Sequence, residues 1–266
     1  MTVARLAIVL SVVATAACAR AMFVPPVGPG APVADGAAAW AEASARCRNA
    51  RTYAAALRLS GRAGDQRIVT MNVDLAVADD QSIYLGATVA GRPVFVLAGA
   101  GGEATLWLRR EHRTVTAAPG AILDAIAGMP IAPARLLAVL SGCVAREFDP
   151  RTVSAHERLV RVETADATVY LERQSGVWRT LAGLADGFII EFARAGASLP
   201  QKVWLWSEPG QPVQARLELT VVESELNGQV PPQVFTPPAG SGTAAPMTIE
   251  ELRAMGPWKT RAPAHD

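Results

Sequence analysis

Cysteine and histidine are the side chains through which this chain could do covalent or metal chemistry, and both are scarce. Among 266 residues there are three of each. They are Cys18, Cys47, Cys143, His112, His156 and His265. A catalytic thiol needs a group that favours its thiolate, and a metal site needs several ligands at suitable spacing. No histidine lies beside Cys47 or Cys143, and the histidines form no HxH or HxxxH pair. We interpret all three histidines as solvated or structural.

A glycine-rich stretch, GAGG at residues 99–102, has the composition of a phosphate-binding loop. Such a loop needs a following helix, whose N-terminal amides and dipole hold the phosphate. The stretch ATLWLRR that follows at 104–110 predicts a strand, so we interpret GAGG as a hairpin loop. The chain contains no GxSxG and no GKS or GKT, and Glu111 and Glu157 lie among arginines, as in surface ion pairs. The sequence therefore predicts no enzyme, no metal site and no cofactor.

The first eighteen residues have the layout of an export signal. Residues 1–5 carry one positive charge, residues 6–14 are almost wholly apolar, and small residues follow. The apolar stretch is too short to span a bilayer, which needs roughly 20 residues. Thr15-Ala16-Ala17-Cys18 looks like a bacterial lipobox, in which the cysteine sulfur receives a diacylglycerol and the new amine is acylated. The alternative is an ordinary cut nearby that leaves a periplasmic protein. We favour acylation of Cys18 on the pattern of these residues. The consequence is a stable membrane anchor, because several acyl chains hold a protein where one holds only marginally.

Charge and composition limit the possible partners. Lys and Arg number 25 and Asp and Glu 24, and removal of residues 1–17 takes away Arg5 alone, which leaves the charges balanced. A balanced chain without a basic run argues against nucleic acid as a partner. After the signal, no second stretch is apolar enough to span a membrane. The remaining chain is long enough to bury one sizeable core.

Cys47 and Cys143 are the two cysteines left after Cys18. An exported chain reaches an oxidising compartment, where paired cysteines tend to bond. We predict a disulfide between Cys47 and Cys143, with two buried thiols as the alternative. A catalytic thiol fits least, because no known thiol-enzyme signature surrounds either residue.

Composition also divides the chain into four segments. Proline and glycine favour an extended tether after the signal and recur near the C-terminus. Thr248 and Glu251 have the spacing of a capping box and predict the start of a short helix. The predicted segments are a signal peptide at 1–17, a lipidated Cys18 with a tether at 18–36, a folded domain at 37–228 and a C-terminal extension at 229–266.

Hydrophobic patterns predict an α+β fold. Residues 37–50 predict a helix, and many short alternating segments then predict one large, curved antiparallel sheet. Residues 119–142 break this alternation, because their apolar positions recur at helical spacing and are split by glycine and proline into two short helices. Trp204 and Trp206 share one strand face and either line a cavity or pack in an ordinary core. The predicted strands are 53–62, 67–77, 83–89, 93–98, 104–109, 157–163, 167–173, 176–182, 187–194, 202–207 and 212–222.

Residues 107–142, WLRREHRTVTAAPGAILDAIAGMPIAPARLLAVLSG, resemble the helical insertion of the LolA/LolB superfamily, which handles bacterial lipoproteins in the periplasm. The sharpest match is GMPI at 128–131, followed by an apolar helix and a glycine. The resemblance covers about 37–225 and implies an open half-barrel sheet, with helices as a lid over an apolar cavity for acyl chains. Cys18 is similar to the anchor of the lipid-anchored LolB branch, and Ala19 implies sorting to the outer membrane, facing the periplasm.

Site residues and partners also follow from this resemblance. LolB-like proteins expose an apolar residue to the membrane from a loop of the sheet, and the matching turn at 88–91 makes Val89 the candidate. The implied partners are acyl chains of lipoproteins or lipid, the bacterial membrane and a periplasmic lipoprotein carrier. The disulfide and the C-terminal extension depart from the family and leave a second hypothesis open, an anchored, non-catalytic scaffold without cargo. The cavity and lid candidates are Ile122, Ile126, Met129, Ile131, Leu136, Leu137, Leu140, Trp204 and Trp206.

Overall fold

One sheet of 15 strands forms the body of the protein. The computed structural model describes residues 22–194, 199–211 and 214–255. The strands, β1 to β15 in chain order, are Ala31–Pro32, Thr52–Ala63, Gln66–Ala78, Ile83–Val89, Arg92–Ala100, Glu103–Leu108, Arg113–Ala117, Thr152–His156, Leu159–Glu163, Thr168–Gln174, Val177–Ala185, Phe188–Ala193, Lys202–Ser207, Ala215–Leu226 and Ala245–Pro246.

The sheet is assembled from two meanders. Strands β2 to β7 follow one another on one side, strands β8 to β14 on the other, and β14 pairs with β2 to join them. All neighbours are antiparallel except β15, which runs parallel to β7. The sheet stays open, with β1 at one edge and β15 at the other. The predicted α+β class with one large, open antiparallel sheet is confirmed. Strands β1, β7, β8 and β15 are not among the predicted strands, and β1 and β15 come from the predicted tether and C-terminal extension.

Four α-helices and two short 3-10 helices lie within the part of the chain that the structure describes. They are α1 (Gly36–Arg48), α2 (Pro119–Ala127), α3 (Pro133–Ser141) and α4 (Ile249–Met255), with 3-10 turns at Pro232–Phe235 and Ala239–Thr243. None of the helices in these described ranges has both the length and the apolar character needed to cross a bilayer.

Local sequence explains why 119–142 forms two helices instead of one. Pro119 and Pro133 stand at helix starts, where the missing N–H would have no partner within the helix. Gly128 and Gly142 follow the last helical residues with φ of 67° and 96°. This left-handed conformation ends a helix and favours glycine. The two predicted short helices are confirmed.

Helices α1, α2 and α3 pack on one face of the sheet, which we call the inner face. The buried positions of α1 recur every three to four residues, so one stripe of this helix meets the strands. Within that stripe Trp40 is 1% exposed, and its indole Nε1 donates to the Phe148 carbonyl at 2.6 Å. The apolar core is therefore a single layer between the helices and the inner face.

The glycine-rich stretch at 99–102 ends β5 with its first two residues and turns into β6 at Gly101 and Gly102. Gly101 and Gly102 have φ of 64° and 88°, which glycine adopts without steric cost. Their positions suit a two-residue hairpin turn with positive φ at both residues. A strand follows, so the predicted hairpin loop is confirmed.

The predicted disulfide joins Cys47, in the last turn of α1, to Cys143, two residues after α3. The Cα atoms are 6.3 Å apart, and both residues are buried. The bond links residues that are 96 positions apart along the chain. It ties the C-terminal ends of two helices together at the inner face.

Replacing both Cys47 and Cys143 by alanine should lower the free energy of unfolding by about 2–5 kcal/mol, because the unfolded chain loses a long-range crosslink. Urea titration followed by circular dichroism measures this change. Wild-type protein in reducing buffer serves as the control and should match the double variant. Equal stability of the oxidised protein and the variant would contradict a stabilising role for the bond.

Candidate functional site

An apolar cavity with about 100 Å³ of free space lies between the inner face and the two short helices. We call α2, residues 128–132 and α3 together the lid. Every side chain that lines the cavity is apolar. The sheet contributes Leu57, Leu59, Ile68, Met71, Val73, Leu75, Leu85, Phe95, Leu205, Leu217 and Leu219, and the lid contributes Leu123, Ile126, Ala127, Met129, Ile131 and Leu136.

A β-bulge decides which residues of β3 face the cavity. Strict alternation predicts that Val69 shares the face of Met71. The register between β2 and β3 shifts between Leu59 and Gly61, so one residue of the pattern is skipped. As a result Ile68, three positions before Met71, lines the cavity in place of Val69.

The predicted lid residues lie either on the cavity or beside it. Those that line the cavity are Ile126, Met129, Ile131 and Leu136. Those buried in the adjoining core are Ile122, Leu137 and Leu140. The second group anchors the helices, and the first forms the inner surface of the lid.

The two tryptophans do not line the cavity. Trp204 and Trp206 belong to a separate apolar cluster with Ile189, on the opposite face of the sheet, which we call the outer face. Leu205 lies between them in sequence and faces the cavity. The prediction that Trp204 and Trp206 line the cavity is thus wrong, because the alternation of β13 turns Leu205 inward and the two tryptophans outward.

The described part of the predicted tether, residues 22–36, lies against the sheet. The Phe23 ring is 5.0 Å from the Tyr170 ring, and the Phe23 backbone N–H donates to the Glu191 carboxylate at 2.6 Å. Glu191 is 4% exposed, so this contact is sheltered from water. The chain is therefore held on the outer face only five positions after Cys18.

Buried charge fixes α3 to the sheet. The Arg135 side chain is 4% exposed and contacts two carboxylates, Asp186 at 2.8 Å and Asp166 at 3.0 Å. It also donates to the Val144 carbonyl. The two acids stand in different strand connections, after β9 and after β11. A buried guanidinium needs such partners because an unpaired buried charge is costly, so α3 is confined to this position.

Val89 is the last residue of β4 and is half-buried against the main core. The next residue, Ala90, is exposed at the hairpin tip with φ of 49°. The loop that the resemblance assigned to membrane contact thus has an exposed tip, with Val89 at its base. Cys18, Ala19 and His265 lie outside the described residues, and their predicted roles stay predictions.

The other chemistry-bearing residues are dispersed. His112 stands in the turn between β6 and β7, and His156 is buried next to the Ser154 hydroxyl at 3.3 Å. Among residues 22–194, 199–211 and 214–255, no three His, Cys, Asp or Glu side chains are grouped as a metal site would require.

No family model and no curated protein matches this chain. Among solved structures, an outer membrane lipoprotein-sorting protein domain from Vibrio parahaemolyticus aligns with 76% of this chain and 96% of its own, at TM-score 0.48 and 10% identity. A LolA superfamily protein from Nitrosomonas europaea aligns with 76% of this chain and 97% of its own, at TM-score 0.46 and 9% identity. The Mycobacterium tuberculosis lipoprotein LppX aligns with 73% of this chain and 96% of its own, at TM-score 0.33 and 11% identity.

Structural neighbours of this chain include LolA superfamily and lipoprotein-sorting domains, all at low identity. Identities of about a tenth offer no functional residue to transfer to this chain.

Asp166→Asn should lower the free energy of unfolding by about 1.5–3 kcal/mol near neutral pH, because charged hydrogen bonds are lost. Burial alone would raise the pKa of Asp166, but the backbone amides of Arg146 and Glu147 and the Arg135 charge lower it below its ordinary 3.8. A lowered folded pKa means that the stabilisation is present above that ordinary value and is lost as pH falls through the folded pKa.

Urea unfolding at neutral pH and in steps through the acid range checks this prediction. The variant should be less stable at neutral pH and should lose less stability below about pH 4 than wild type. Asp149→Asn, at an exposed position, is the matched control and should behave as wild type. Parallel pH profiles for Asp166→Asn and wild type would show that this carboxylate is not a source of the acid sensitivity.

Proposed function

We propose that this protein is a membrane-anchored lipoprotein that binds acyl chains in the cavity and takes part in lipoprotein localisation at the outer membrane. The observation that carries the proposal is the cavity itself, whose walls are apolar throughout and whose roof is a separate pair of short helices. A site of this kind suits a ligand without polar groups along its length. The lipobox-like Cys18 and the export signal support the anchored location.

Burial energy is sufficient for such a function without catalytic residues. Each methylene group moved from water into the cavity contributes about 0.8 kcal/mol. Transfer between a carrier, this protein and a bilayer then depends on small differences in that burial. We infer that the protein takes cargo from a periplasmic carrier and passes it to the membrane.

The size of the cavity requires the lid to move. Its free space of about 100 Å³ is below the roughly 150 Å³ of an engineered cavity that takes up benzene. A whole acyl chain is far larger than benzene. Binding therefore needs displacement of lid side chains from the inner face.

The small volume of the cavity also favours a second candidate function. A cavity this small resembles a nearly filled core, which is what an anchored scaffold without cargo would have. In that case the protein binds an envelope partner by its surface and takes up no acyl chain.

Filling the cavity should separate these candidates. Ala127 lines the cavity on α2, and Ala127→Phe should weaken binding of a fluorescent triacylated cysteine peptide by at least tenfold because the added ring occupies the acyl site. Ala121→Phe, on the same helix but away from the cavity lining, is the control and should bind within twofold of wild type. The assay is a fluorescence titration with competition by unlabelled lipopeptide, after circular dichroism confirms that each variant folds.

Saturable, competed binding that Ala127→Phe weakens supports acyl-chain binding. Absence of saturable binding by folded, disulfide-bonded wild-type protein would reject it and favour the scaffold.

The loop at 88–91 is the proposed membrane contact. Val89→Glu should reduce transfer of lipopeptide to liposomes by about tenfold while leaving binding in solution within twofold, because a charge resists burial at the membrane interface. Val222→Glu, at an exposed valine of β14, controls for the added charge. Because Val89 also packs on the core, transfer is compared at equal folded fraction. Unchanged transfer by Val89→Glu would remove this loop from the mechanism.

A further inference from the structure

The C-terminal residues 244–255, which we call the strap, are bound along the edge of the sheet next to the lid. The Ala245 backbone N–H donates to the His112 carbonyl at 3.0 Å, and that of Met247 donates to the Thr114 carbonyl at 2.8 Å. These bonds form the parallel pair of β15 with β7. The strap, which lies within the predicted C-terminal extension, thus packs against the folded domain.

After β15, the strap turns into α4, which packs on α2. The predicted capping box starts the helix: the Thr248 backbone N–H donates to the Glu251 carboxylate at 2.8 Å, and the Glu251 N–H donates to the Thr248 hydroxyl at 3.1 Å. Leu252, one helical turn after Thr248, is only 3% exposed and belongs to the main core. Beside it the Arg253 guanidinium contacts the Asp124 carboxylate of α2 at 2.9 Å. Asp124 is the one ionisable side chain in the sequence of α2.

The other half of the lid is held in a different way. Helix α3 is fixed by the buried Arg135 and by the disulfide at Cys143. The Gly142 carbonyl at its end also accepts a bond from Arg194 at 2.7 Å. The connection between the two helices, residues 128–132, begins at Gly128, whose backbone has the left-handed conformation. The lid therefore has one half tied to the sheet by buried polar contacts and to α1 by the disulfide, and one half covered from outside by the strap.

We propose that the strap is a latch on α2: when α4 releases Leu252 and Arg253, α2 lifts from the inner face while α3 stays in place. The purpose of this opening, access of an acyl chain to the cavity, rests on the proposed function. The latch itself follows from the contacts and does not depend on cargo. Release of α4 exposes Leu252 and the partly buried Ile249. It breaks two partly exposed ion pairs, Arg253 with Asp124 and Glu251 with Arg113 of β7. Detaching α3 would instead break a disulfide and expose a buried, paired guanidinium.

Hydrogen exchange of backbone amides tests the latch without any lipid, because it reports local opening. The protein used is the chain from residue 18 onward with Cys18→Ser. Leu252→Ala should accelerate exchange in α2 at least tenfold and leave α3 within twofold of wild type. Leu159→Ala, a buried leucine of β9 in the other meander, is the matched control and should not accelerate α2 selectively. Equal acceleration of α2 and α3, or no change in either, would overturn the proposal.

A second variant keeps the test valid if Leu252→Ala does not fold. Arg253→Glu places two carboxylates together and should accelerate α2 exchange by about two- to fivefold, a modest effect because the pair is partly exposed. Adding Asp124→Arg restores an opposite-charge pair and should return exchange to the wild-type rate. Failure of the double variant to restore it would overturn the role of this pair in the latch.

Lipopeptide association then separates this proposal from the proposed function. If both hold, Leu252→Ala binds the fluorescent triacylated peptide faster than wild type. If hydrogen exchange in α2 responds as expected but neither wild type nor Leu252→Ala binds the peptide, the latch is supported and acyl-chain binding is rejected.

Discussion

The apolar inner face of the sheet is the constraint on which the rest of this structure depends. A sheet with one apolar face is stable only when another layer covers that face. In a closed barrel the opposite wall would do this, but here the sheet stays open between β1 and β15. Helices must supply the cover instead. The chain places α1 over the β8–β11 side and the lid over the side of β2 to β7.

Because the cover consists of short helices, part of the inner face is packed as core and part of it borders a cavity. Helices α2 and α3 have nine residues each, too few to be stable without tertiary contacts. Each one is fixed by what surrounds it. Around α3 the surroundings are buried charge and a disulfide, and around α2 they are the inner face and α4. Helix α2 has neither buried charge nor a disulfide to fix it, and it contributes Leu123, Ile126 and Ala127 to the cavity lining.

Much of this fold follows from the sequence because its two periodicities are clear. Alternation predicted the central strands, and the helical spacing with proline and glycine predicted the split lid. Short edge strands could not be predicted, since β1 and β15 have two residues each and owe their existence to a neighbour. The bulge that brings Ile68 to the cavity was equally hidden, because a register shift depends on the partner strand.

The candidate site shows the same limit. The sequence placed Trp204 and Trp206 on one face, but it held no information on which face looks inward. Arg135 was missed because its two acids come from separate turns, brought together only by the folded sheet. An arginine in the first turn of an almost wholly apolar helix was the one signal that a buried ion pair would be found there.

The N-terminal contacts change the geometry of the proposed anchor. As a free linker, residues 18–36 would let the domain move several nanometres from the membrane. With Phe23 held on the outer face, Cys18 comes five positions earlier in the chain, a distance of at most roughly 18 Å. With Cys18 acylated as proposed, the outer face is therefore kept near the bilayer. The lid lies on the opposite face, so a carrier of the proposed kind would reach it from the side of the sheet that faces away from the Phe23 attachment.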